Sequence, residues 1–353
     1  MSTNFEEKFN YVRSLIKAKT VKFLSTQERR QLSPNDYEIV YDTDFKNYVI
    51  WDGNKWVFWG KPSVSGARLK KISKFIGAER YRAVSFAINN YGYVGTGESE
   101  EACKDFYRYD PSINVWTQIA DHPIRRYWAV AFVIGEYAYV GTGWVDEEDR
   151  WGPSQDFWRY DPLNNIWTQI TDFPIQIYLA VAFTINNYAY VGTGADLNHY
   201  TRKWFYRYDP SNNTWTQVSD LGGEARRGAA AFSIKQYSYV GMGETPSKLL
   251  RDFWKYDPSN NTWTQIYMFP ASARFRPVGF NIGNYGYIAG GLRDIWFYDP
   301  YNNIWHALLK LEYDIEDATV FVINNSAYIG TGEIFEYLSY ILNDFWQLTN
   351  IYP

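Results

Sequence analysis

The stretch RYWAVAFVIGEYAYVGTGWVDEEDRWGPSQDFWRYDPLNNIWTQI, residues 126–170, decides the fold. Its opening, RYWAVAFVI, is a continuous apolar run of strand length, as expected for a strand buried on both faces. The polar pair Gly135-Glu136 turns the chain into a second strand, YAYVGTG. A variable loop follows, and DFWRY is the third strand. Asp161-Pro162 then begins a tight turn that ends at Asn164-Asn165. Proline fixes φ at the start of such a turn, and Asn tolerates the left-handed conformation near its end. IWTQI is the fourth strand. Four short antiparallel strands in about 45 residues make one blade of a β-propeller.

The unit repeats. Tyr-Asp-Pro stands at 109–111, 160–162, 208–210, 256–258 and 298–300. Ahead of each lies a glycine-bracketed triplet, at 95–97, 141–143, 192–194, 241–243 and 289–291. A Trp follows six residues after each Asp: Trp116, Trp167, Trp215, Trp263 and Trp305. A sixth unit runs from ATVFVINNSAYIGTG to NDFWQLT, but the chain stops at Pro353 before a fourth strand. Aligning the units places RLKKIS (68–73) over VWTQIA (115–120), with Leu69 in the place of the Trp. Residues 68–73 are therefore expected to complete the last blade and close the ring, since an open propeller would leave an unpaired sheet edge. The fold class is all-β, a six-bladed propeller over residues 67–353.

Composition narrows the rest. Of 353 residues, 46% are hydrophobic and 20% aromatic, which excludes a disordered chain. A lone cysteine, Cys103, rules out an intrachain disulfide. The three histidines (His122, His199, His306) show no metal-ligand spacing. No apolar run reaches membrane-spanning length, and the N-terminus MSTNFEEKFNYVRS lacks the apolar core of a signal peptide. The net charge of −4 hides a split: residues 1–80 hold 15 Lys/Arg against 9 Asp/Glu, and the remainder 20 against 30. The acidic main body argues against nucleic acid as a ligand. The aromatic repeats recur at blade period, which is what packing between sheets predicts and a unique active site does not.

These units resemble kelch repeats: a glycine pair after a hydrophobic strand, then Tyr and Trp at fixed offsets. The likeness is greatest to the bacterial variant built from YVGTG, DFW, YDP and NTWTQ, common in Bacteroidetes, and it covers about residues 68–349. Departures are AGG for GTG in the fifth unit, Lys203-Trp204-Phe205 for Asp-Phe-Trp in the third, and no final Trp. Some kelch propellers are enzymes. A galactose-oxidase-like copper site needs a Cys cross-linked to Tyr and two His ligands, a pattern that Cys103 and the three His do not meet. No motif points to a mutarotase-like acid/base site. With no such motif in the sequence, no catalysis and no cofactor are expected.

Antiparallel alternation puts the short, stereotyped turns on one face of the disc and the variable loops on the other. The loops between the GTG-type and DFW-type triplets range from two residues (292–293) to twelve (144–155). Binding residues concentrate on variable loops held by a rigid scaffold, so this is the candidate binding face. WVDEEDRWGPSQ (144–155) combines Trp144 and Trp151 with Arg150 and four consecutive acids. It reads as a sugar platform or protein anchor, because exposed aromatics stack on flat apolar faces. Asp146, Glu147, Glu148 and Asp149 also offer carboxylates to a cation, but consecutive acids lack the alternating ligands and turn Gly of a calcium loop. The competing reading is a solvated acidic loop with Trp tucked against the blade. ADLNHYTR (195–202) and EIFEYLSYIL (333–342) offer His199, Tyr200, Phe335 and Tyr337 on the same face. So do the pairs Arg125-Arg126 and Arg226-Arg227, which could meet an acidic glycan or pair with neighbouring acids.

Ahead of the propeller, residues 1–24 are expected to hold a basic amphipathic helix, with Phe5, Phe9, Val12, Leu15 and Ile16 at 3–4-residue spacing. In residues 25–66, Ser25 or Thr26 suits a helix cap, and YEIVYDT and NYVIWD alternate toward a small hairpin. Asp52-Gly53 then supplies a tight turn before KWVFW. This stretch resembles a short module of bacteriophage tail and head fibre proteins, with Thr26, Arg29, Leu32, Ser33, Pro34, Tyr41, Asp42, Thr43, Asp52, Gly53 and Trp56 in matching positions. The resemblance implies a virion protein, assembled in the host cytoplasm, that joins other virion proteins through residues 1–66 and forms oligomers. The propeller would then be a structural or host-binding head, with a surface glycan or protein as partner. A cellular kelch scaffold and a carbohydrate-active enzyme are the alternatives.

Overall fold

The computed structural model describes residues 22–24, 39–42, 47–51, 56–58, 67–335, 339–349 and 351. The chain divides into two compact units, Met1–Ala67 with Asn350–Pro353, and Arg68–Thr349.

In the first unit, Lys22–Leu24, Ile39–Asp42, Asn47–Trp51 and Trp56–Phe58 form one sheet in chain order. The expected hairpin is present, with Val40 opposite Val49, and the chain returns so that Trp51 faces Trp56. The end of the expected helix is corrected: Lys22–Leu24 is a strand pairing parallel with Ile39–Asp42. Its apolar pair Phe23-Leu24 lies beyond the helical stripe, which ends at Ile16, and Val40 beside it is fully buried. The rest of the expected helix, residues 4–21, lies outside the described residues.

The second unit is the propeller. Its first blade is Val84–Ile88, Tyr91–Gly95, Phe106–Asp110 and Val115–Ile119. The second is Val130–Ile134, Tyr137–Gly141, Phe157–Asp161 and Ile166–Gln169. The third, fourth and fifth blades begin at Val181–Ile185, Ala230–Ile234 and Val278–Ile282 and repeat the same strand order. In the sixth, Thr319–Ile323, Ser326–Gly330 and Phe345–Thr349 are completed by Arg68–Lys71 from the other end of the chain. Leu69 faces Leu348 in the register where Trp116 faces Tyr109 in the first blade, and Lys71 pairs with Asp344 at 2.6 Å.

The first strands surround an axial cavity of about 200 Å³. They bury alternate residues, such as Val130, Phe132 and Ile134, between blades. The residues between them are half-buried, not buried on both faces, and those nearest the axis are small in five blades, Ser85, Ala131, Ala182, Ala231 and Gly279, with Val320 in the sixth. A side chain on Gly279 would place its Cβ 2.3 Å from the Ala231 carbonyl oxygen. The glycine triplets answer two steric demands. A Cβ on Gly141 would lie 2.3 Å from the Phe157 ring, whereas Gly143 has φ +79° and would meet the Tyr127 carbonyl at 2.6 Å. In the fifth blade Ala289 replaces the first glycine, and Ile295 replaces the phenylalanine. The triplet Asp-Phe-Trp of the third blade is Trp204-Phe205-Tyr206, one residue later than the sequence alignment placed it. Thr193 N–H donates to Trp204 O, as Thr142 N–H does to Asp156 O.

The repeated Tyr, Asn and Trp act together between blades. In the second blade the Tyr160 hydroxyl donates to Asn165 Oδ1 (2.9 Å), which also accepts the Ala120 N–H of the first blade (2.9 Å). Trp167 Nε1–H donates to the Ala120 carbonyl at 3.1 Å. The same trio recurs at Tyr109, Asn114 and Trp116, and in the third, fourth and fifth blades. Each of these Asn residues has φ between 52° and 56°. At the other end of four of the blades, buried Arg80, Arg126, Arg226 and Arg274 bind Asp105, Asp156, Asp252 and Asp294. Burial opposes ionisation of Asp105, Asp156 and Asp252, but the hydrogen bonds and charge of their arginines hold all three carboxyls below the usual range. The third blade has Ile177 and Trp204 in place of the pair, so both members are lost together.

Two predictions follow from these contacts. Asn165→Ala leaves two donors unmatched and should lower unfolding free energy by roughly 2–4 kcal/mol, against about 1 kcal/mol for Trp167→Phe, read from urea melts. Arg226→Ile should cost about 3–5 kcal/mol by stranding Asp252, and the double change Arg226→Ile/Asp252→Trp, copying the third blade, should recover most of it. A double variant no better than the single one would refute the exchange.

Candidate functional site

On the variable-loop face, the loops fold back over the entries to the first strands. Arg126–Tyr127 pairs with Trp144–Glu147, which pairs with Arg150–Pro153. Ile315–Glu316, Glu333–Phe335 and Ser339–Ile341 make the same small sheet on the sixth blade. Single bridges Tyr81 to Glu98, Tyr178 to Ala195 and Arg227 to Glu244 repeat it in the first, third and fourth. The two-residue loop of the fifth blade is too short to do so.

Beneath these loops lies the mouth of the axial cavity, ringed by one residue per blade: Arg82, Trp128, Leu179, Gly228, Arg276 and Asp317. All six have φ between 44° and 60°. A non-glycine residue held there costs about 1–2 kcal/mol. What offsets the cost is a chain of hydrogen bonds around the mouth. Arg82 N–H donates to Asp317 O (3.3 Å), Trp128 to Arg82 (3.1 Å), Leu179 to Trp128 (3.2 Å) and Gly228 to Leu179 (2.9 Å). Asp317 binds Arg276 and, at 3.5 Å, Arg82, while Arg82 also binds Glu98. Both guanidiniums lie over the Trp128 ring, at 4.1 and 4.8 Å. Burial, opposed by Arg276 and reinforced by Asp317 and Glu333, raises the pKa of the neighbouring Glu316 carboxyl. Burial also pushes the Tyr127 hydroxyl up to about 12.

From this mouth an aromatic cluster climbs between the second and third blades. Trp128 lies 5.5 Å from Tyr178, and Tyr178 lies 5.1 Å from Trp144 with the rings perpendicular. Trp144 in turn meets Trp151 edge-on at 4.7 Å and lies parallel to His199 at 6.3 Å. Arg227 donates to the Tyr178 oxygen at 3.0 Å, and that hydroxyl lies 2.7 Å from His199 Nδ1. Arginine has only donors, so the Tyr178 oxygen accepts from Arg227 and keeps its own proton to offer to His199 Nδ1. Trp151 is 68% exposed and Tyr200 63%, and Leu197 is exposed between the same two blades.

The structure thus brings together Trp144, Trp151 and His199, with Tyr200 on the same loop as His199. Trp144 is not an exposed platform; it is buried and supports Trp151. Arg150 is tied to Asp156 at 3.3 Å and to Ser154. Phe335 is placed by its backbone on the sixth blade, away from this ledge, and Tyr337 lies outside the described residues. Arg126 and Arg226 are buried in ion pairs, Arg227 binds Glu244 at 2.8 Å, and Arg125 meets Glu101 at 3.4 Å. Of the remaining histidines, His122 is packed against Trp167 and burial holds it well below its ordinary pKa. His306 stacks on Phe297, and burial lowers it to about 4. The mouth residues Arg82, Trp128, Arg276 and Asp317 escaped the sequence reading. Their signal was positional: each stands two residues before a first strand, where the aligned units carry Arg, Trp, Leu, Gly, Arg and Asp.

The chain is a six-bladed β-propeller with its loop-built surface around one mouth of the axis. The solved structure titled "Structure of YjhT" matches it with a TM-score of 0.69 and 17% identity, covering 77% of this chain and 95% of that one. It is one of 842 matching solved chains, and at this identity the likeness speaks for the fold alone. No family model and no curated protein matches the chain.

The hydrogen-bond relay gives a measurable outcome. Nitrogen NMR at neutral pH should find His199 as the Nε2–H tautomer, and Tyr178→Phe should remove that preference at a cost of about 1 kcal/mol in stability. An Nδ1–H tautomer in the parent protein would contradict the relay.

Proposed function

We propose that this chain is a kelch-type adsorption platform of a bacteriophage particle. The propeller presents the Trp151 ledge to a host-surface glycan, and residues 1–66 join it to other virion proteins. The observation that carries the reading is Trp151, a large apolar ring left mostly in water on a hairpin whose base is a packed aromatic cluster. Leaving such a ring exposed forgoes about 1.5–3 kcal/mol of burial, and a rigid exposed aromatic is what a sugar face stacks on. The fibre-like residues from Thr26 to Trp56, the basic first 80 residues and the division into two compact units support a separate attachment segment. The platform needs no catalytic step. Mass spectrometry of purified virions should detect the chain, and its absence from them would sink the virion reading. On a glycan array, Trp151→Ala should abolish any signal while leaving thermal unfolding within about 2 °C of the parent.

A second reading has its own observation. Glu316, whose carboxyl pKa burial raises, adjoins Asp317 of the cavity mouth and interacts with Arg276, where a carboxyl could act on a bound sugar as acid and base. Turnover of a sugar that Glu316→Gln reduces by about 100-fold or more would favour this reading over the platform.

A further inference from the structure

The ledge is one face of a hairpin whose register is fixed: Asp146 faces Trp151, and Trp144 faces Pro153. Side chains directly opposite in an antiparallel pair share a face with their Cβ atoms about 4.5–5.5 Å apart. The exposed Asp146 carboxylate therefore sits beside the exposed Trp151 ring. Trp144, two residues before Asp146, shares that face; it is buried, and its Nε1–H has no partner among the described residues. At the hairpin tip Glu148 and Asp149 are exposed. Asp146, Glu148 and Asp149 pair with no cation among the described residues, and Glu147 accepts only the Arg125 backbone N–H, at 2.7 Å. Every arginine near the ledge is already committed: Arg150 to Asp156, Arg202 to Asp196, Arg227 to Glu244 and Arg125 to Glu101. The ledge thus offers an aromatic face, carboxylates without counter-ions and no free guanidinium.

We infer that the ledge takes a glycan carrying a protonated amino sugar, its flat face on Trp151 and its ammonium group between Asp146 and the Trp151 ring. This inference rests on the platform reading and narrows it. An ammonium group is attracted both by a carboxylate and by the π face of an indole. A uronic or other acidic sugar would meet the Asp146 carboxylate on that face and no available cation among the described residues.

Three tetrasaccharides of equal length test it by calorimetry at about pH 6: glucosamine (cationic), N-acetylglucosamine (neutral) and galacturonate (anionic). The cationic tetramer should bind about tenfold more tightly than the neutral one at about 0.02 M salt, and most of that advantage should vanish at about 0.3 M. The anionic tetramer should bind weakest. Asp146→Asn should bring the cationic tetramer close to the neutral one without weakening the neutral one, and Trp151→Ala should weaken both. Equal binding of the cationic and neutral tetramers, or tightest binding of the galacturonate, overturns the amino-sugar inference and leaves the platform intact. Binding that Trp151→Ala does not touch, or no binding by any tetramer, overturns both. Asp146 and Trp151 are both exposed, so the variants should melt with the parent.

Discussion

A propeller has no core of its own at the axis, and its blades must hold one another. Here the hold is the asparagine that ends each third-to-fourth turn. Its side-chain oxygen accepts the tyrosine hydroxyl of its own blade and the backbone N–H of the preceding one, and a tryptophan N–H answers to the carbonyl of that same preceding residue. The left-handed backbone that asparagine tolerates is what turns its side chain back toward both donors. Three residue types in one repeat thus fix both the turn and the angle between neighbouring sheets. In the sixth blade the fourth strand carries Leu69 instead of tryptophan, and Lys71 on that strand pairs with Asp344 of the same blade.

With one face committed to identical turns, individuality accumulates on the other. The Arg–Asp pairs under that face are uniform in four blades, but the residues just above them are not: Arg82, Trp128, Leu179, Gly228, Arg276 and Asp317 share a backbone conformation and nothing else. The scaffold fixes six backbone positions around the mouth and leaves their chemistry free. The ledge on the second and third blades is the outermost layer of the same arrangement, since Trp128 at the mouth and Trp151 at the surface are joined through Tyr178 and Trp144.

Most of this architecture was legible in the sequence because it is repeated. Blade number, the order of strands and the closing strand all follow from spacing, and Trp151, His199 and Tyr200 do lie on the variable face. Whether Trp144 is exposed or tucked against the blade was left open by the sequence, because burial of an aromatic on a hairpin depends on which partner, here Tyr178 and His199, arrives from the next blade. The third-blade triplet was misplaced by one residue because Trp204 stands where aspartate is usual, and only the Thr193 hydrogen bond reveals the register. The mouth residues went unnoticed for the opposite reason: repetition identifies what is constant, and these are the positions that vary.

The closing strand also sets the order of events during synthesis. Lys71 and Asp344 lie 273 positions apart, so at about 5–20 residues per second roughly 14–55 s separate the emergence of the two halves of the sixth blade. Throughout that interval Arg68–Lys71 is an unpaired edge next to five blades that can already assemble in order. Nothing but proximity within one chain reserves it for Phe345–Thr349, and a neighbouring chain at the same stage carries an identical strand. The latch that closes the ring within one chain is therefore also the element through which two rings would exchange strands.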